Sequence, residues 1–397
     1  NVIQNPPNYA VLGLTANSGG FGAIPITVNN AGPLAGNTGS KAFPIATLRA
    51  VDPNIKMAYA HLWSAAIEHQ LTSALIGAVE YTGSKGVNEY TIDRLNIPGS
   101  QLVYAGTGSA TARINPQYSY INFRTNGGYS NYDGVNFRLE MRNFARQGLT
   151  LRANYTYSHA LDNLSNTFSE TASSPNLGLL DPLHPGLDYG SADFDVRHRF
   201  TLAGVWDIPY KGNNAVEKEV LGGWSLIPNF SARTGIPFAL WDCTNAQYVL
   251  CPRAMYDTPF HVQYTNTPTG QPNQFNYFSV GSPDSSYMNP LAQAADFGPF
   301  PATMTGRNVF RAPGYWNVDF AIHKEFPLTE RFRLQFRAET FNIFNHSNLY
   351  VVYSNTDLSA TDHIQTTRGV NNANNGGTSA NPLPENRNLQ LALKLIF

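Results

Sequence analysis

The chain has 397 residues, of which 42% are hydrophobic, 12% are aromatic and only 13% are charged. This charged fraction is about half that of an ordinary soluble domain. The net charge of -1 gives no basis for nucleic-acid binding, and no run of about 18 apolar residues predicts a transmembrane helix. Because the chain starts at Asn1 without an initiator methionine or a signal peptide, we expect a fragment or a processed product.

Segments along the whole chain alternate apolar and polar residues with the period of a β-strand. In one of them Leu151 and Ala153 alternate with Arg152 and Asn154. The predicted strands span residues 57–70, 73–82, 131–143, 148–159, 193–208, 222–233, 314–326, 331–344 and 388–397. Charged polar rows would be costly to bury in a dry core, so we expect water on that face of each strand. The apolar face then requires either lipid or a second sheet.

The connections between these strands alternate in length. Short links are predicted at 71–72, 144–147, 209–221 and 327–330, and long links at 83–130, 160–192, 234–313 and 345–387. Alternation places every long link at one end of the sheet, which is typical of an outer-membrane barrel with short periplasmic turns and long extracellular loops.

The predicted fold is therefore all-β: an antiparallel, up-and-down transmembrane β-barrel, here a partial barrel of about nine strands with long extracellular loops. Residues 1–56 are predicted to be the remainder of an extracellular loop, and 57–397 the C-terminal part of the barrel. Leu151, Phe336 and Leu391 should share the convex, lipid-facing side, because each belongs to the apolar row of its strand.

Eight stretches occur in the order in which one known family carries them. They are AVDPNIK at 50–56, YTGSKG at 81–86, YDGVNF at 132–137, ANYTYSHALDN at 153–163, DFDVRHRF at 193–200, LGGW at 221–224, NVDF at 317–320 and RAETFNIFNH at 337–346. Through them the chain resembles the C-terminal half of the barrel of TonB-dependent receptors, of the Oar-like, acidobacterial type.

The resemblance implies a location in the bacterial cell outer membrane and active import of a bulky nutrient, such as a siderophore or a glycan. It also implies contact with outer-membrane lipid, and a plug domain and TonB as partners of the full-length protein. The plug and the first barrel strands are absent from these 397 residues, so this chain alone should not transport.

The charged residues of the polar rows form the predicted lumen wall. They are Arg138, Glu140, Arg142, Arg152, Asp319, Arg333, Arg337 and Glu339. Glu325 is expected to lie opposite Arg333 or Arg331, Asp319 opposite or diagonal to Arg337, and Glu140 opposite or diagonal to Arg152. These charges either line a solute path or only hold the strand register, and the sequence leaves both readings open.

Three further residues are candidate sites. Cys243 and Cys251 are the only cysteines and lie in the longest loop, where they form either a disulfide or two free thiols. Phe397 ends the last strand with an aromatic carboxyl terminus. It is either a signal for the barrel-assembly machinery, as in outer-membrane barrels generally, or one more residue of the periplasmic aromatic girdle.

The sequence carries no catalytic, cofactor-binding or metal-binding motif that we recognise, so no cofactor is expected. The alternative to a receptor is a secreted or surface all-β protein that recognises glycans or a partner through its long loops. A surface hydrolase comes third. The sequence does not identify the solute, because its specificity should lie in the loops and the plug.

Overall fold

The computed structural model describes the chain in several ranges of residues. The described residues are 46–96, 118–144, 147–165, 178–210, 212, 214–241, 251–254, 264–279, 304–352, 356, 363–368 and 385–397. The statements below concern these residues.

Strands dominate the described chain. They are β1 (Ala46–Val51), β2 (Tyr59–Thr72), β3 (Leu75–Leu95), β4 (Tyr118–Phe144), β5 (Leu149–Asp162), β6 (Gly190–Ser191), β7 (His198–Asp207), β8 (Trp224–Arg233), β9 (Pro237–Phe238), β10 (Thr267–Pro268), β11 (Gln274–Ser279), β12 (Phe310–Arg311), β13 (Tyr315–Pro327), β14 (Arg333–Phe341), β15 (Leu349–Val351), β16 (His363–Arg368) and β17 (Asn388–Ile396). One α-helix, α1 (Ala215–Leu221), and one 3₁₀ helix (Pro185–Asp188) accompany them.

The main sheet is a single up-and-down wall. Its order is β17-β14-β13-β8-β7-β5-β4-β3-β2, and every neighbouring pair in this order is antiparallel. β1 joins β4 in parallel, and β6 joins β5. The nine predicted strands are confirmed, and the sheet is open, as expected for part of a barrel.

The short and long connections fall at opposite ends of the sheet, as predicted. At the short-turn end, α1 lies between β7 and β8. Asn214 caps this helix, because its side chain accepts a hydrogen bond from the backbone N–H of Glu217 at 2.8 Å. At the long-loop end, the connections that follow β5, β8 and β14 carry the small strands.

The predicted long loop at 83–130 is wrong. β3 continues to Leu95 and β4 begins at Tyr118, and the two remain paired as far as Leu95 opposite Ile121. At roughly 3.3 Å per residue, the 21 residues of β3 are far longer than an apolar band of about 25 Å. The sequence pattern stops earlier because this end of the hairpin lies beyond the apolar band and packs on one of the long connections, so it needs no alternating apolar row.

Two predicted strands are longer than the observed ones. The predicted strand 193–208 begins only at His198, because Asp193 and Asp195 instead bind arginines of another loop. The predicted strand 331–344 ends at Phe341. There Asn342 adopts a left-handed backbone with φ of 52°, and its side-chain oxygen accepts the N–H of His346 at 2.9 Å.

One face of the main sheet is apolar and exposed. Leu151, Phe336 and Leu391 lie on this same face by register, as predicted. Leu391 is 62% exposed, and no second sheet among the described strands covers this face. Large apolar side chains left open over a whole face require an apolar solvent rather than water.

The hydrophobic core lies outside the main sheet, in the long connections. We call the described residues of the connections β5–β7, β8–β13 and β14–β17 the loop unit. Its core cluster consists of Phe238, Leu240, Ala254, Tyr277, Phe310, Val351 and Ile364. A four-stranded sheet, β10-β11-β16-β15, joins the second connection to the third, and β9 pairs with β12. The long connections therefore fold together as one packed body.

Candidate functional site: the polar face and the loop unit

The polar face is continuous across the main sheet. One line of cross-strand neighbours runs from Arg138 through Asn154, Thr201 and Ser231 to Asn317. Every side chain in this line can donate or accept hydrogen bonds. The alternation predicted within single strands is thus in register over five of them.

The next line of neighbours is apolar or aromatic. It runs from Phe137 through Tyr155, Phe200 and Ala232 to Trp316. Because the two lines are one residue apart, they lie on opposite faces of the sheet. A register slip of one residue would move Arg138 to the apolar face.

Glu140 lies at the centre of a charge cluster on the polar face. It is opposite Arg152, as predicted, with 3.4 Å between the Arg152 Nε and Glu140 Oε1 atoms. Arg142 donates to it at 3.0 Å, and Arg138 lies 3.9 Å away. Arg138 also pairs with Glu68 of β2. These side chains are partly exposed, so each pair is a weak contact that water screens.

The remaining predicted wall residues lie on β13 and β14. Glu325 lies opposite Gln335, so the predicted position opposite Arg333 or Arg331 is wrong, although Arg333 is its diagonal neighbour and pairs with it at 3.4 Å. Glu339 lies 3.6 Å from the imidazole of His323. Arg337 donates to Gln335 at 2.7 Å.

The predicted pairing of Asp319 with Arg337 is wrong. Arg337 lies opposite His323, whereas Asp319 lies beyond the end of the paired segment of β14. The carboxylate of Asp319 instead accepts the side-chain amide of Asn317 at 2.8 Å and the backbone N–H of Asn342 at 2.9 Å. The prediction placed the turn between β13 and β14 correctly but the register too short by about four residues.

Three arginines join the first two connections of the loop unit. Arg307 binds the carboxylates of Asp162 and Asp193, the second at 3.0 Å. It also donates to the carbonyl of Asp162 at 2.9 Å and to the hydroxyl of Ser165 at 2.7 Å. With most donors of the guanidinium filled, this buried cation has the hydrogen bonds that a desolvated charge requires.

The other two arginines bind the same connection further along. Arg253, only 1% exposed, pairs with Asp188 and donates at 2.8 Å to two backbone carbonyls, those of Thr305 and Leu187. Arg311 donates to Asp195 at 2.7 Å. Asp195 also accepts from the backbone N–H of Ala160 at 2.8 Å.

Sequence reasoning missed these arginine–aspartate pairs. It assigned residues 160–192 and 234–313 to loops and 193–208 to a strand, although the DFDVRHRF stretch at 193–200 already showed unusual charge density. Asp193 and Asp195 of this stretch are the residues that bind Arg307 and Arg311. A cluster of charged residues inside an otherwise charge-poor chain was the available signal.

The extended β3–β4 hairpin packs on the loop unit. Asn163 bridges them, because its side-chain amide donates to the carbonyl of Gly127 at 2.8 Å and its side-chain oxygen accepts from the N–H of Tyr129 at 3.0 Å. Asp93 is 3% exposed at this contact. Burial, opposed in part by a hydrogen bond from the backbone of Leu179, raises the pKa of Asp93 to about 6.

Cys251 is buried in a small cluster with Ala239 and Trp241, and it is disulfide-bonded. Cys243 lies outside the described residues. We propose that Cys243, the only other cysteine of the chain, is the partner of Cys251. Closing so short a loop should stabilise it by at most about 3 kcal/mol. Thiol labelling of unreduced protein tests the bond, and two reactive thiols would exclude it.

The short-turn end carries two further features. Lys324 belongs to the apolar row but is only 2% exposed, because its ammonium turns towards α1 and donates to the carbonyls of Glu219, at 2.6 Å, and Gly222. This contact caps the C-terminal carbonyls of the helix.

Phe397 is 92% exposed and follows the last residue of β17.

The described residues include neither a membrane-spanning helix nor a metal-binding cluster. None of the helices has the length and apolar character needed to cross a bilayer. No group of three or more His, Cys, Asp or Glu side chains is placed to hold a metal ion.

A one-sheet wall with an exposed apolar face, a polar face and a packed body at one end defines the class of outer-membrane barrel proteins. The family model described as "Outer membrane beta barrel domain" matches residues 1–390. The chain belongs to this family and is part of an outer-membrane protein. No curated protein matches it.

Solved structures of outer-membrane transporters and receptors are similar to the chain. The transporter YddB from Escherichia coli matches with 8% identity and a TM-score of 0.45, over 86% of this chain and 33% of the transporter. The ferripyoverdine receptor from Pseudomonas aeruginosa matches with 11% identity and a TM-score of 0.39, over 85% and 27%. The iron transporter FrpB from Neisseria meningitidis matches with 9% identity and a TM-score of 0.39, over 88% and 33%. The chain thus spans about a third of the length of these proteins.

Proposed function

We propose that the chain is the C-terminal barrel portion of a TonB-dependent receptor that imports a bulky nutrient. The observation that carries the proposal is the polar face, which stays in register across the main sheet and presents charges on the side opposite the apolar face. A wall of this kind separates lipid from a wide, water-filled lumen. A plug domain from elsewhere in the full-length protein would fill this lumen.

The loop unit supports the same proposal from the outer side. Loops tied together by buried ion pairs form a fixed rim, which can present a constant surface to a solute. Outer-membrane location and the open apolar face argue against the alternative of a secreted binding protein, because such a face would aggregate in water.

The experiment is a nutrient screen in the source cells. Strains with and without the intact gene would be grown on a panel of iron chelates and glycans, each as the only source of its element. We expect one class of nutrient to lose uptake on deletion of the gene and also on inactivation of TonB. Uptake of every nutrient at the parental rate in both strains would refute the proposal.

Which face of the wall meets lipid and which meets water can be tested separately by labelling. Thr201→Cys and Leu202→Cys place thiols at adjacent positions on the polar and apolar faces of β7. A membrane-impermeant maleimide should label the first through the lumen and leave the second, in lipid, unlabelled. Equal labelling of both positions would contradict the assignment of the faces.

A further inference from the structure

Two arginines on the polar face lie directly opposite each other. Arg199 of β7 and Arg233 of β8 are cross-strand neighbours at the long-loop end of these strands. Like charges directly opposite each other on one face of a sheet repel and destabilise the pair. Arg199 is exposed and Arg233 is half-buried, so water only partly screens the repulsion.

No carboxylate among the described residues pairs with either arginine. This distinguishes them from the wall arginines Arg138, Arg152 and Arg333, each of which contacts a glutamate. Among the described residues, the Arg233 guanidinium lies over the Tyr315 ring, whose centroid is 5.3 Å away. A cation over a ring does not neutralise the charge.

The nearby carboxylates are already bound elsewhere. Asp193 accepts from Arg307 at 3.0 Å and from Asn308 at 2.7 Å. Asp319 accepts from Asn317 and Asn342, as described above. Among the described residues, these two carboxylates therefore do not neutralise Arg199 and Arg233.

Space for such a group exists beside the arginines. A cavity of about 560 Å³ lies between the strands and the loop unit. It is lined by Arg199, Ser231, Ala232, Arg233 and Tyr315 from the strands and by Asp193, Phe194, Val196 and Ile236 from the loop unit. This volume falls in the range of ordinary ligand pockets, about 300–1,000 Å³. Hydroxyl groups of Ser231 and Tyr315 add donors to the two guanidinium groups.

We propose that Arg199 and Arg233 form an oxyanion subsite, which binds a carboxylate or phosphate group of the imported solute at the mouth of the lumen. Paired guanidinium groups suit this ligand, because each presents a planar fork of N–H donors to two oxygens of one anion. The role of the subsite in import rests on the proposed function, whereas anion binding itself does not.

The test uses the intact protein in nanodiscs, with inorganic phosphate and citrate as the probes. Equilibrium dialysis should show saturable binding of at least one probe to the wild type. Arg199→Gln and Arg233→Gln should each weaken this binding at least tenfold, and the double variant should abolish it. Arg331→Gln, which removes the same charge from the turn at the opposite end of the sheet, should leave binding unchanged.

Lysine variants at both positions guard against misfolding. Arg199→Lys and Arg233→Lys keep the charge but lose the fork, so weaker but measurable binding is expected. A wild type that binds neither probe, or glutamine variants that bind as the wild type does, overturns the subsite. Failure of uptake in cells with intact probe binding would instead count only against import. If the double glutamine variant takes up the solute at the wild-type rate, the subsite does not lie on the solute path.

Discussion

Removing the guanidinium of Arg253 should open the loop unit without loosening the barrel wall. In Arg253→Met, Asp188 keeps a buried carboxylate with no cation, and the carbonyls of Thr305 and Leu187 lose their donor. Breaking a buried ion pair by removing one partner costs about 3–5 kcal/mol. Since about 1.4 kcal/mol corresponds to a factor of ten, local opening should become roughly 10²- to 4 × 10³-fold more frequent.

Hydrogen exchange of the nanodisc-embedded protein measures this opening. Amides of residues 185–191 and 304–311 should exchange faster in Arg253→Met, while amides of 135–141 in β4 should keep the wild-type rate. Arg152→Met is the matched control: it breaks a pair that is 56% exposed on the arginine side, so its effect should stay under about 1 kcal/mol.

A double variant separates the effect of losing the ion pair from the effect of losing the packing of the arginine side chain. In Arg253→Met/Asp188→Asn no charge remains buried, so part of the lost stability should return. The reasoning would be refuted by an Arg253→Met variant whose loop-unit amides exchange at the wild-type rate. It would also be refuted by equal acceleration in β4, which would mean that the loop unit and the wall unfold as one.

Three further results are expected. Lys324→Met removes the cap of α1, so trypsin should cleave after Lys218 faster than in the wild type, and an unchanged rate would contradict the capping role. The pKa of Asp93 is about 6 in the folded protein and 3.8 ordinarily, so between these pH values the folded chain keeps a proton that the unfolded chain releases. The free energy of unfolding should therefore fall by up to about 3 kcal/mol as the pH rises from 4 to 6. Asp93→Asn should remove this slope in hydrogen exchange corrected for intrinsic rates, and a persisting slope would assign it to another group. Deleting Phe397 from the full-length protein should lower outer-membrane yield far more than Tyr155→Leu does, and equal yields would count against an assembly role for the terminus.

The strands of the wall could be predicted because two solvents act on them. Lipid on one face and water on the other impose a period of two on every crossing segment, so Leu151 and Arg152 must point in opposite directions. The same logic predicted the contact between Glu140 and Arg152. Lys324 breaks the pattern within the apolar row, because a long side chain at a strand end can turn its charge towards a helix.

The loop unit could not be predicted in this way. It is surrounded by water, so no alternation marks its strands, and its contacts join residues far apart in the sequence. Arg307 and Asp162, for example, are 145 residues apart. The extended hairpin was missed because the residues of β3 beyond Gly83 carry no apolar row, although pairing continues as far as Leu95 opposite Ile121.

The separation between Arg307 and Asp162 has a consequence for the order of assembly. Their contact closes a loop that contains β7, β8 and α1. Closing so long a loop is entropically costly until the strands between have already brought the two ends together. Formation of the arginine–aspartate pairs should therefore be a late step, completed only when β5, β7, β8 and β13 are correctly aligned. A wall whose strands are misaligned cannot form these pairs. Its long connections should therefore stay open and sensitive to protease.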